Sequence, residues 1–200
     1  MKIFKENSYD IVRLYINQLG IMIFSMLLYT AVGSFENDAL SSALSIAVSV
    51  FSICFYLVLI YYVVWEIGAK DKIRIDGGRA EPCKYKGLIM GLFANIPNFV
   101  LGIFTVLFLA IYLISRNAVV FSVFFIFNLI IRIHASMYMG LITGIVPSRL
   151  PAGSSEIDHI EFLIESILFT AIPIISALVT HLAYYLGSKD KKLFSFLSKV

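Results

Sequence analysis

Arg132, His134, Glu161 and Glu165 are the residues whose types and spacing could do chemistry in this chain. Arg132 is a permanent cation in the middle of an apolar run, and an imidazole follows two residues later. Two carboxylates four residues apart open the next apolar run, on one helical face. A charge held at the centre of a bilayer costs about 2.5–3.5 kcal/mol, so it must face an interior partner or a wet cavity. The chemistry such a set offers is recognition of a charged solute, or a proton relay in which His134 titrates near neutral pH. The plainer alternative is an Arg132–Glu165 ion pair that does no more than satisfy two charges. The sequence sets the two residues roughly two helical turns apart in depth, a gap for long side chains or water to close.

A second polar point is Asn95-Ile-Pro97-Asn98. Pro97 removes a backbone donor and should kink its helix, and both asparagines can pair with freed carbonyls or with other helices. Broken helices of this kind hold substrate sites in membrane carriers. The candidate substrate-binding set is therefore Arg132, His134, Glu165, Glu161, Asn95 and Asn98.

These residues need a frame. Hydrophobic residues make up 60% of the 200, charged residues 14%, and the mean hydropathy is +0.89. A water-soluble domain of this size needs far more surface charge, so lipid is part of the solvent. A crossing helix takes about 20 apolar residues. Windows of that length predict an all-α integral membrane bundle of five transmembrane helices, at residues 11–33, 40–66, 87–114, 118–146 and 160–187. The alternative is six, or five plus a re-entrant segment within 87–146. The runs are continuous, as in residues 121–127, and this excludes a barrel. The basic start is read as the lead-in to the first span, because Glu6, Asp10, Arg13, Asn17 and Gln18 interrupt it. The whole chain reads as one membrane domain with a cytoplasmic loop at 67–86.

Within the spans, Ser41, Ser45 and Ser49 form a stripe, and Asn17, Gln18 and Gly20 are placed to face neighbouring helices. Gly87/Gly91 and Gly140/Gly144 are two GxxxG pairs. Pro173 should kink the last span. Asp76-Gly77-Gly78 reads as a turn, as a plain loop or the tip of a short hairpin. Ser155 with Asp158 resembles a capping box, residues 147–151 form a proline-bounded break, and residues 193–197 could lie on the membrane surface.

Lys70, Lys72, Arg74, Arg79, Lys84 and Lys86 form the densest basic cluster, which places that loop in the cytoplasm together with the N-terminus. They are also the candidate contacts for anionic lipid headgroups or a partner. Five crossings put the C-terminus outside, yet its Lys189, Lys191, Lys192 and Lys199 oppose that assignment.

A net charge of +3 spread beside spans forms no nucleic-acid groove. Cys54 and Cys83 are unsuited to a disulfide, no metal-binding spacing is present, and no cofactor is implied. Residues 76–80 fail the signature of the CDP-alcohol phosphotransferases in residue order, and serine-nucleophile, zinc and phosphate-loop motifs are missing. An enzyme is therefore disfavoured. The expectation is a small subunit of the cell membrane that binds or helps transport a small charged solute through an inward-facing polar cavity. It would work as a homo-oligomer or with a partner membrane subunit. The alternatives are a non-catalytic scaffold packing against partner helices, and a membrane enzyme acting on lipid.

Overall fold

In a computed structural model, residues 7–35, 38–146 and 159–191 are described. Of these, 87% are helical and none is in a strand, so the protein is an all-α bundle. The proline-bounded break at 147–151, the Ser155–Asp158 cap and the segment 193–197 lie outside the described residues, as do Lys2, Lys5, Arg149, Lys192 and Lys199.

Eight helices are described: α1 Ser8–Val32, α2 Asp38–Asp76, α3 Lys86–Ala94, α4 Ile96–Ser115, α5 Ala118–His134, α6 Ser136–Ile145, α7 His159–Ala171 and α8 Pro173–Ser188. Four stretches are long and apolar enough to cross a membrane, or five if the bent pair α5–α6 counts as one span.

Three expectations change in detail. First, α2 has 39 residues, about 58 Å at the helical rise, and outruns the hydrocarbon. It therefore absorbs the first half of the expected 67–86 loop, and only residues 77–85 join it to α3. The glycine pair forms the expected turn, at the start of that connection and with no hairpin. It caps α2, with Gly78 at φ 67° and the N–H groups of Gly78 and Arg79 donating to the carbonyls of Ile75 and Arg74 at 2.9 and 2.8 Å. That is the Schellman arrangement, which needs a residue free to adopt positive φ. Second, span 87–114 is interrupted at Asn95, which leaves Pro97 in the first turn of α4, where its missing N–H is tolerated. Third, span 118–146 is broken at Ala135, and α6 turns 111° away from α5. The predicted break at Pro173 is present, at Ile172.

The fold falls into two compact units, one of Met1–Asn17, Phe55–Asn95 and Ile174–Val200, the other of Gln18–Cys54 and Ile96–Pro173. In the first, glycines let backbones touch. A Cβ on Gly87 would lie 2.7 Å from the Thr180 carbonyl oxygen, and one on Gly68 would lie 2.5 Å from that of Tyr184. Gly91 and Gly187 make equally close approaches, to Thr180 and Trp65. Lipid tails are as apolar as leucine, so close van der Waals contact of this kind replaces hydrophobic burial as the force between helices.

In the second unit α4 is antiparallel to both α5 and α7. Tyr112 meets Phe121 at 4.9 Å and Phe104 meets Phe127 at 5.4 Å. Leu109, Phe124 and Phe162 share one core cluster, while Gly102 lies against Thr170. The short helix α6 runs along α1 and α2. The Ser136 hydroxyl donates to the Met22 carbonyl at 2.8 Å, the Gly140 N–H donates to the Ser49 hydroxyl at 2.8 Å, and Gly144 faces Ile46. A Cβ on Gly140 would overlap the Ser45 carbonyl and the Tyr29 hydroxyl. The serine stripe and the second GxxxG pair thus meet each other.

Gly140→Ala should therefore destabilise the protein by about 1–3 kcal/mol, because backbone atoms must move to admit the methyl group. Gly20→Ala, with open space around it, should be neutral or stabilising by up to about 1 kcal/mol. Thermal unfolding of both variants in one detergent measures the contrast.

Candidate functional site

The aromatic stacking of α4 on α5 fixes where the last turn of α5 ends, and that turn carries Arg132 and His134. The first turn of α5 is capped by the Asn117 side chain, which accepts from the Val119 N–H at 2.8 Å. Helix α7 is registered by Phe162, which meets Phe124 edge to face at 5.9 Å. Three residues on, and so on the same face, stands Glu165.

Arg132 Nη2 donates to Glu165 Oε2 at 2.6 Å. The expected gap of two turns does not exist, because the Phe124–Phe162 contact sets α7 at the depth of the α5 terminus. The Glu165 side chain is 0% exposed and that of Arg132 is 19% exposed. The guanidinium also lies 6.0 Å from the centre of the Phe162 ring. His134 is buried two residues beyond Arg132, and Glu161 is half-buried one turn before Glu165. Asn98 is buried in the first turn of α4, in the same unit.

Asn95 belongs to the first unit. Its Nδ2 donates to the Gly91 carbonyl at 2.8 Å and to the Ser176 hydroxyl at 3.0 Å. The side chain links α3 to α8, as one of the two expectations had it, while the Gly91 carbonyl it meets is not one freed by Pro97, since it also accepts from the Asn95 N–H at 3.2 Å.

The second unit holds polar atoms that sequence reasoning only partly identified. Among the described residues, Gln18 Oε1, Ser25 Oγ, Ser52 Oγ and Asn128 Nδ2 are buried without a hydrogen-bond partner in the protein. Ser166 and Thr170 show the contrast, since each hydroxyl donates to the carbonyl four residues back, at 2.7 Å. The missed residues left a periodic trace. Ser25 lies seven residues after Gln18, and Ser52 continues the Ser45–Ser49 stripe. A buried polar atom without a protein partner is costly in an apolar medium and calls for water or a ligand.

In the first unit, Asp71 was not anticipated. It is buried, accepts from Lys86 Nζ at 2.5 Å and from the Tyr184 hydroxyl at 2.9 Å, and lies 3.9 Å from Arg74. It ties α2, α3 and α8 together. Lys86, expected at lipid headgroups or a partner, is committed to Asp71 with its side chain only 13% exposed. Lys70 pairs with Glu66 at 2.7 Å. Arg74, Arg79 and Lys84 are exposed and Lys72 is half-exposed. Among the described residues no three His, Cys, Asp or Glu side chains stand together as metal ligands would.

No protein-family model, curated protein or solved structure matches the chain.

Removing one member of a buried ion pair strands the other charge, at a cost of about 3–5 kcal/mol, whereas an apolar pair of similar volume is close to neutral. Arg132→Ala and Glu165→Ala should each destabilise the protein by that amount. The double variant Arg132→Met with Glu165→Leu should unfold within about 1 kcal/mol of the parent. Unfolding titrations of the three variants test the cycle.

Proposed function

We propose that the protein is a small membrane subunit that binds, or helps to move, a small charged solute, at a site built around Arg132, Glu165, His134 and Asn98. One observation carries the reading. The helix break at Ala135 sets a cation and its counter-ion beside the end of a helix turned through 111°. Half-helices that end inside the bilayer are where carriers hold their substrates, and ionisable residues at such depth mark solute or proton paths. A direct pair can open to either sign of solute, since an anion can take the guanidinium and a cation the carboxylate. The unpartnered polar atoms of Gln18, Ser25, Ser52 and Asn128 supply the hydrogen-bonding interior that a dehydrated solute needs.

The same reading puts the protein in the cell membrane, with the N-terminus and the basic joint in the cytoplasm. At 22.5 kDa it acts as a homo-oligomer or beside a partner membrane subunit. The second reading, a non-catalytic scaffold, is favoured by the complete burial of Glu165, because a dry ion pair serves only to lock two helices.

Water separates the two. In a background with Cys54→Ser and Cys83→Ser, the variants Ser25→Cys, Ser52→Cys and Asn128→Cys are exposed to a charged, membrane-impermeant methanethiosulfonate reagent. A solute site predicts labelling of the folded protein at these positions. Protection of all three, with labelling restored on unfolding, would refute the solute reading in favour of the scaffold.

A further inference from the structure

We infer that the chain crosses the bilayer four times, and that this topology gathers its basic joint with Lys189 and Lys191 into one surface that binds anionic lipid headgroups. Both α5 and α7 run antiparallel to α4, so both enter the membrane from the face at which α4 leaves it. The chain between them must return to that face. Helix α6 makes the return, advancing along α1 from Met22 to Tyr29, towards the α1 C-terminus. The pair α5–α6 is then a re-entrant hairpin, and α1, α2, α3–α4 and α7–α8 are the crossings.

The first unit leads independently to the same parity. The indole N–H of Trp65 donates to the Lys191 carbonyl at 2.8 Å, and the Tyr184 hydroxyl donates to Asp71. Gly68 touches the backbone of Tyr184, and Gly87 packs on Thr180 and Tyr184. Along α3 the partners run backwards on α8, from Tyr184 at Gly87 to Ser176 at Asn95, so α8 is antiparallel to α3 and leaves at the face where α3 starts, with Trp65–Asp71 of α2 beside its last turns. Arg13 of α1 lies within electrostatic reach of Glu66. The N-terminal helix start, the joint and the C-terminal end of α8 emerge together. Lys189 and Lys191 thus no longer oppose the charge bias that orients the chain.

The composition of that surface selects the partner. Lys70 is paired with Glu66 on the surface, and Lys86 is taken up by buried Asp71. Lys72, Arg74, Arg79, Lys84, Lys189 and Lys191 are at least partly exposed, against exposed Asp76, Glu81 and Asp190. Trp65 and Tyr85 stand among them, the latter stacked on His181 at 6.0 Å, as aromatics do at headgroup depth. A basic patch flanked by aromatic side chains, directly outside the hydrocarbon, fits a phosphate-bearing headgroup.

Trp65 is the only tryptophan, so it reports on this surface alone. The purified protein is reconstituted into equimolar phosphatidylglycerol and phosphatidylcholine, with one or the other brominated. Brominated phosphatidylglycerol should quench Trp65 more strongly. Neutralising Arg74, Lys84, Lys189 and Lys191 to glutamine should bring quenching by the two lipids to parity, with each charge contributing up to about fivefold. Equal quenching in the unaltered protein would overturn the lipid assignment and point to an acidic protein partner. A paired-reporter fusion at the C-terminus should report the same compartment as one inserted in residues 77–85; opposite compartments would overturn the four-crossing topology.

Discussion

The pair between Arg132 and Glu165 is the interaction on which the second unit depends. Neither charge tolerates hydrocarbon alone, and each is anchored to a different helix by aromatic packing rather than by polar contacts. Once Phe124, Phe127 and Phe162 have set the helices, the two charges meet between α5 and α7. A guanidinium at the last turn of α5 also suits the negative end of the helix dipole, so the cation is held by a side chain and by a helix end together.

Glycine performs the corresponding task between backbones. Gly68, Gly87, Gly91 and Gly187 bring α2, α3 and α8 into contact, Gly140 does so for α6 with α2, and Gly102 receives the Thr170 side chain of α7 against α4. Each contact has no room for a Cβ. This explains how a chain that exposes so many large apolar side chains to lipid still has defined helix neighbours. Its interfaces are specified by what is missing from the side chain rather than by greasiness.

Composition and period made the helices legible, since helices shape their own hydrogen bonds and lipid fixes their minimum length. The two GxxxG pairs and the serine stripe were legible as contact faces, and Arg132 as a charge that required Glu165. The extension of α2 to Asp76 was not, because charged residues there look like loop and are equally at home on a solvated helix end. Asp71 was hidden by its basic neighbours. It is drawn inward by Lys86 and Tyr184, which are 15 and 113 residues away in sequence. Such a contact leaves no local period.

The three helix breaks differ in cause, and the difference bears on function. Those before Pro97 and Pro173 are written locally, since proline cannot donate to the preceding turn. The one at Ala135, a turn of 111°, has neither proline nor glycine between residues 129 and 139. Sharp bends usually have such a local origin. Here the bend is held from outside, by the hydroxyl of Ser136 on Met22, by Gly140 against α1 and α2, and by Arg132 on Glu165. A conformation that the local sequence does not favour persists only where tertiary contacts over-determine it, and such places concentrate at sites that bind or move. The Ser136 hydrogen bond and the Arg132–Glu165 pair are the polar part of that hold, and the buried side chains of Ile131, Met137 and Tyr138 add apolar packing on either side of the bend. A proline kink needs no such support, because its geometry is covalent.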